Sequence, residues 1–124
     1  MNLTLAIAAG GAPGALMRYW FANGVYALVG RGFRLGTLAV NVLGSLLMGL
    51  LFVWLTERSS LGPEWRALLL VGFLGAFTTF STFSLETLHL LTEAAYFKAG
   101  LNMLVSVLAC VAATAAGVVL ARQL

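Results

Sequence analysis

The chain reads as four long apolar stretches punctuated by single charges. Residues 1–17 are uncharged, Arg18 interrupts, and residues 19–30 are uncharged again. That pattern predicts one long first helix over about 3–28. The uncharged run 35–56 predicts the second helix. A third, over about 64–91, contains the uncharged run 67–85 and starts at Gly62-Pro63-Glu64, with proline early and an acid in the first turn. A fourth, about 98–121, contains the uncharged run 99–121. Gly10-Gly11-Ala12-Pro13-Gly14 is expected to bend the first helix, and Gly72 and Gly75 to favour a break in the third. The connections are short, and each stretch meets the roughly 20 residues a bilayer crossing needs. The expectation is an all-α membrane protein with four transmembrane helices, the third of them broken, forming a single domain over residues 1–124. No basic segment precedes the first apolar run, so no cleaved signal peptide is expected.

Composition sharpens this picture. Hydrophobic residues make up 61% of the chain, charged residues 9%, and the mean hydropathy is +1.00. The chain has no room for a soluble domain beside the helices. Its pI near 9.6 comes from seven basic side chains scattered singly, a distribution that excludes a nucleic-acid interface. Cys110, the single cysteine, sits in an apolar run and reads as a small packing residue. Glu86-x-x-His89 has the spacing of a helical carboxylate–histidine metal pair, but it occurs once and no other histidine exists. His89 therefore reads as an interfacial residue, and the chain is not expected to be an enzyme.

Charge says little about orientation. If the N-terminus, the second connection and the C-terminus share one side, that side holds Arg58, Arg66 and Arg122. The other side holds Arg31, Arg34 and Lys98, with Arg18 as a further member if it is counted there. Such balance fits either a weak bias or insertion both ways round with antiparallel self-pairing. Fourteen glycines favour close helix contacts, and four helices make too thin a bundle to enclose a wide path alone.

Three polar stripes stand out. Thr37, Asn41 and Ser45 share one face of the second helix, beside Gly44. Asn102, Ser106, Cys110 and Thr114 recur every four residues on the fourth. The third carries Thr78-Thr79-Phe80-Ser81-Thr82-Phe83-Ser84, seven consecutive hydroxyl or phenyl side chains, followed closely by Glu86. Interhelical hydrogen bonding accounts for any one stripe alone. Together they offer more. Hydroxyl and amide hydrogens donate to an anion without a formal charge, and phenyl ring edges are electropositive. Asn41, Ser81, Ser84 and the edges of Phe80 and Phe83 suit a small anion; a cation site calls for oxygens without competing donors. Arg18 reads as a helix-end anchor, an ion attractor or a partner of Glu86.

Three motifs carry a resemblance to the Fluc (CrcB-type) fluoride channel family. They are Gly10-Gly11 through Gly14-Ala15 to Arg18-Tyr19; Gly36-Thr37-Leu38-Ala39-Val40-Asn41 with Gly44 and Gly49; and Gly72-Phe73-Leu74-Gly75 through the hydroxyl–phenyl run to Glu86. The resemblance covers the whole chain, and its third motif is highly specific. It implies a passive fluoride channel of the bacterial plasma (inner) membrane that exports cytoplasmic fluoride and so lowers its toxicity. It also implies a dual-topology, antiparallel homodimer with two pores lined by both chains. A structural, non-transported sodium ion would be held by backbone carbonyls at Gly75 and Thr78. Phe80 and Phe83 would meet fluoride, with Asn41 as the pore asparagine, Ser81, Ser84 and Thr114 as the hydroxyl track, Glu86 near the vestibule and Arg18 as the first-helix arginine. The partners implied are fluoride, lipid and a second copy of the chain. Two other classes stay in view. A proton-coupled small multidrug transporter needs an acid in the first helix, and no acid precedes Glu57. A non-conducting assembly subunit would leave the hydroxyl–phenyl run without a task.

Overall fold

The computed structural model describes residues 2–30 and 35–124. Arg31 and Arg34, counted above on one side, lie outside the described residues. The described chain is helical throughout its long elements: α1 (Leu3–Val29), α2 (Leu35–Arg58), α3 (residues 63–77), α4 (Phe80–Thr92) and α5 (Tyr96–Gln123).

Local chemistry sets the helix ends. Asn2 caps α1, its Oδ1 accepting the Thr4 N–H at 2.6 Å. The helix runs through Pro13 without interruption, so the Gly10–Gly14 segment does not end it. It stops at Gly30, whose φ of 81° lets its N–H turn back to the Tyr26 carbonyl at 2.8 Å. Pro63 opens α3 with Glu64 in the first turn, as the sequence pattern requires. Two stretches are wound wider than an α-helix, as π-helix: Trp54–Arg58 at the end of α2 and Ala67–Leu74 within α3.

The turn after α4 closes with paired bonds, Ala95 N–H to the Leu90 carbonyl and Ala94 N–H to the Leu91 carbonyl. This places Ala94 at φ 59°, in the left-handed region, where glycine is the usual residue. A left-handed L-residue costs about 1–2 kcal/mol. Ala94→Gly is therefore expected to stabilise the protein by about 1 kcal/mol, read as a higher midpoint of thermal unfolding in detergent.

Packing is governed by backbone proximity. α1 lies against the π-helical part of α3, and α2 against α5. At the first crossing a β-carbon on Gly10 or Gly14 would collide with α3 backbone at Leu68 or Phe73, and one on Gly72 with α1 backbone at Ile7. At the second, Gly49 meets α5 backbone at Thr114 and Gly117 meets α2 backbone at Leu46. Small residues thus let the helices approach without intervening side chains. At one end Arg122 Nε lies 3.3 Å from Glu57 Oε2, and the Arg58 guanidinium donates to the Arg122 carbonyl at 2.7 Å. That contact puts the ends of α2 and α5 on one side.

The outward surface is apolar. Leu104 and Leu108 on α5 and Leu85 and Leu88 on α4 are exposed, the arrangement lipid contact requires. Among the described residues three spans are long and apolar enough to cross a membrane: Leu35–Arg58, Pro63–Thr92 and Tyr96–Gln123. α1 has 27 residues, a length of about 40 Å; Arg18 and its glycines lower its apolar character.

Within the Pro63–Thr92 span the chain leaves the helix. Gly72 and Gly75 remain helical, Gly75 at φ −61° and ψ −36°. The interruption falls instead at Thr78 (φ −83°, ψ 156°) and Thr79 (φ −148°, ψ 110°), both extended. The glycines are therefore not the breaking residues. The threonines break the helix because side chains take over the hydrogen bonds that would have continued it.

Candidate functional site

The break is built by two N–H groups, those of Thr79 and Thr82, that bond to side chains in place of helical carbonyls. In an unbroken helix the Thr79 N–H would bond to the Gly75 carbonyl. Here it donates to Asn41 Oδ1 at 2.7 Å, while Asn41 Nδ2 donates back to the Thr79 carbonyl at 3.1 Å. The reciprocal pair fixes which way the amide points, since a flip would set donor against donor. The Thr82 N–H would bond to the Thr78 carbonyl; it donates instead to Thr79 Oγ1 at 3.2 Å, and Thr79 becomes the cap of α4. The Thr78 hydroxyl donates to the Leu74 carbonyl at 3.0 Å and closes off α3. The four carbonyls from Gly75 to Thr78 thereby lose their regular helical donors. Gly44 makes room for the bend, because a β-carbon there would strike the Thr78 methyl group.

Beside the break lies a groove of about 340 Å³. α2 contributes Asn41, Gly44, Ser45 and Met48; α5 contributes Ser106, Val107, Cys110, Val111 and Thr114. The floor is Thr78, Thr79, Phe80 and Phe83. No charged side chain lines it among the described residues. The rings of Phe80 and Phe83 lie 5.3 Å apart, centroid to centroid, tilted by 50°. Phe83 is buried at 9% exposure, whereas Phe80 is 76% exposed in the single chain. The second Nδ2 hydrogen of Asn41 has no partner among the described residues and remains for a ligand.

Of the residues singled out from sequence, Asn41, Phe80, Phe83 and Thr114 meet in this groove, with Thr78 at its floor. Ser81, Ser84 and Glu86 do not line it. The Ser81 hydroxyl lies 3.4 Å from Thr79 Oγ1, and the Ser84 hydroxyl donates to the Phe80 carbonyl at 2.9 Å. Glu86 is buried within the bundle on α4. The Thr114 hydroxyl shares its one hydrogen between the Ser45 and Cys110 carbonyls, each at 3.1 Å, which ties α5 to α2. Arg18 lines a separate cavity of about 220 Å³ with Tyr19, Asn23, Tyr26, Thr37 and Thr82. Thr79 borders both cavities, so the break stands between the arginine side and the phenylalanine side.

Sequence reasoning assigned no individual role to Ser106 and read Cys110 as a small packing residue, although the four-residue repeat on α5 carried the signal. Met48, Val107 and Val111 had no signal, because an apolar wall residue looks like any other apolar residue. Asn102 heads the same stripe yet points away from the groove, bonding to Thr87 instead.

The sequence matches the family model described as CrcB-like protein, Camphor Resistance (CrcB), over residues 5–118. The chain belongs to the CrcB-like family. A Geobacter sulfurreducens relative named fluoride-specific ion channel FluC is 52% identical over 124 residues and is aligned over the full length of both chains. A Coxiella burnetii relative of the same name is 50% identical over 125 residues, again full length. A Methylococcus capsulatus relative of that name is 59% identical over 125 residues; the chain spans 55% of its length. These relatives are named as channels, not enzymes. Family membership and the membrane-length helices make this a multi-pass plasma-membrane protein.

Proposed function

We propose that this chain is one subunit of a passive, fluoride-selective channel that lets accumulated fluoride leave the cytoplasm. The observation that carries the reading is the uncharged groove at the break, where phenyl rings and an amide N–H converge. Fluoride is small and holds its water tightly, so a path must replace that water with many weak donors. A fixed cation in the groove would hold the ion too long for fast exit. Ring edges of Phe80 and Phe83, the free N–H of Asn41 and the hydroxyl of Ser106 meet that requirement. Ser81, Ser84, Thr114 and Glu86 would extend the track, Ser84 and Thr114 donating to the ion only by turning from the carbonyls they bond here, with Arg18 in the cavity beyond Thr79.

A second copy would complete the site. Phe80 stands largely exposed at the groove, and Gly75 is exposed beside the break. An antiparallel pair related by a two-fold axis, as the balanced charges permit, would bring two breaks together and give two pores. The Gly75 and Thr78 carbonyls, deprived of helical donors, form a donor set of oxygens only, which fits a hard monovalent cation such as sodium. When bound, the ion would supply a fixed positive charge between the two chains. Each subunit would be a single four-helix transmembrane domain.

Purified protein reconstituted alone into liposomes tests this reading. Fluoride efflux is expected once an ionophore supplies a counter-ion path, with chloride retained inside. Efflux that requires a proton gradient, or none at all, would count against a passive channel. Exchange of sodium for N-methylglucamine is expected to lower the thermal stability of the dimer.

A further inference from the structure

One buried hydrogen-bond chain lies outside the groove and ends on a groove residue. Asn102 Nδ2 on α5 donates to Thr87 Oγ1 on α4 at 2.9 Å, and Thr87 Oγ1 donates to the Phe83 carbonyl at 2.8 Å. All three side chains are buried: Asn102 at 7%, Thr87 at 6% and Phe83 at 9% exposure. A polar chain in this setting is retained only when its members satisfy one another, because each unpaired group is costly. Neither Asn102 nor Thr87 lines the groove.

We infer that Asn102, acting through Thr87, is a positioning residue for the Phe83 ring. α5 supplies one wall of the groove from Ser106 onward, one turn beyond Asn102. α4 supplies Phe80 and Phe83. The Asn102–Thr87 bond fixes the rotation and height of α4 against that wall. The Thr87 hydroxyl accepts from Asn102 on α5 while its own hydrogen goes to the Phe83 carbonyl one turn back on α4, so the bond between the helices bears on the turn that carries Phe83. Discrimination between fluoride and a larger halide depends on how closely the ring edge approaches the ion, so a small rotation of α4 acts first on selectivity.

The inference rests on the channel reading above, and its test separates the two. Thr87→Val removes the hydroxyl at nearly constant volume, Asn102→Leu removes the donor, and Thr87→Ser keeps the hydroxyl. Each is reconstituted beside wild type and assayed for fluoride flux, fluoride-over-chloride selectivity and elution as an oligomer. Thr87→Val and Asn102→Leu are expected to lose on the order of tenfold in selectivity, as small displacements of a working group do. The double variant should be no worse than either single one, and Thr87→Ser should behave as wild type. Folded Thr87→Val with unchanged flux and selectivity overturns the positioning role alone. Thr87→Val that fails to fold, while Thr87→Ser folds and conducts, assigns the bond to stability and also overturns it. Wild-type protein that passes no fluoride overturns the channel reading and this inference with it.

Discussion

Phe80→Ala and Phe83→Ala are each expected to cut fluoride flux in liposomes by on the order of a hundredfold or more, equivalent to about 2.7 kcal/mol at the barrier. The two substitutions differ in what else they disturb. Phe83 is packed under the groove, and removing a buried phenyl group costs about 3–5 kcal/mol of stability through the cavity left behind. A flux loss there could reflect a weakened fold. Phe80 is 76% exposed in the single chain, so its truncation removes little intrachain packing. Phe80→Ala is consequently the cleaner probe, and gel-filtration of the variant beside wild type reports whether its oligomeric state changes. Phe83→Leu adds a further discrimination, since it keeps apolar bulk but has no quadrupole to offer an anion. Wild-type flux in Phe80→Ala and Phe83→Leu would remove the phenyl edges from the conduction path.

Asn41→Ala is expected to do more damage to the fold than a typical interhelical polar contact. The asparagine satisfies both backbone groups of Thr79, an extended residue at membrane depth. Losing it strands an N–H and a carbonyl where water is scarce, at about 1–3 kcal/mol each. Thermal unfolding in detergent should shift downward accordingly. Asn41→Asp keeps one half of the structural task. Its carboxylate still accepts from the Thr79 N–H, but it loses both Nδ2 hydrogens, the one given to the Thr79 carbonyl included, and places negative charge in the groove. Folded Asn41→Asp protein with little fluoride flux is the expected result. Normal flux from it would show that the groove side of Asn41 faces no anion.

Much of this arrangement could be read from residue patterns because membrane helices leave few options. Charges at Glu57, Arg58, Lys98 and Arg122 mark helix ends, since a charge at bilayer depth is costly. The four-residue spacing on α5 correctly joined Ser106, Cys110 and Thr114 on one face. Three features escaped that reasoning. Glycine composition pointed to Gly72 and Gly75 as the break, but both serve close packing or remain helical, and Thr78–Thr79 break the chain. The deciding agent, Asn41, lies 38 residues away in sequence. Ala94 likewise carries no turn signal, because its left-handed conformation is imposed by the closure of α4 onto α5. The bond that the Ser84 hydroxyl gives to the Phe80 carbonyl, one turn back on its own helix, was not legible either, because a helical serine can point its hydroxyl elsewhere.

The Asn41–Thr79 pair bears on how the protein is made. Its side-chain amide imitates a neighbouring peptide group, so the extended residue has the equivalent of a strand partner without a second strand. Each newly inserted chain can therefore finish its own interruption in the bilayer before it meets another copy. If the chain pairs as proposed, association would join two preformed surfaces and carry little of the ordering cost that accompanies coupled folding and binding. A cell that inserts this chain in small numbers, at low density in the membrane, would still accumulate protomers ready to pair.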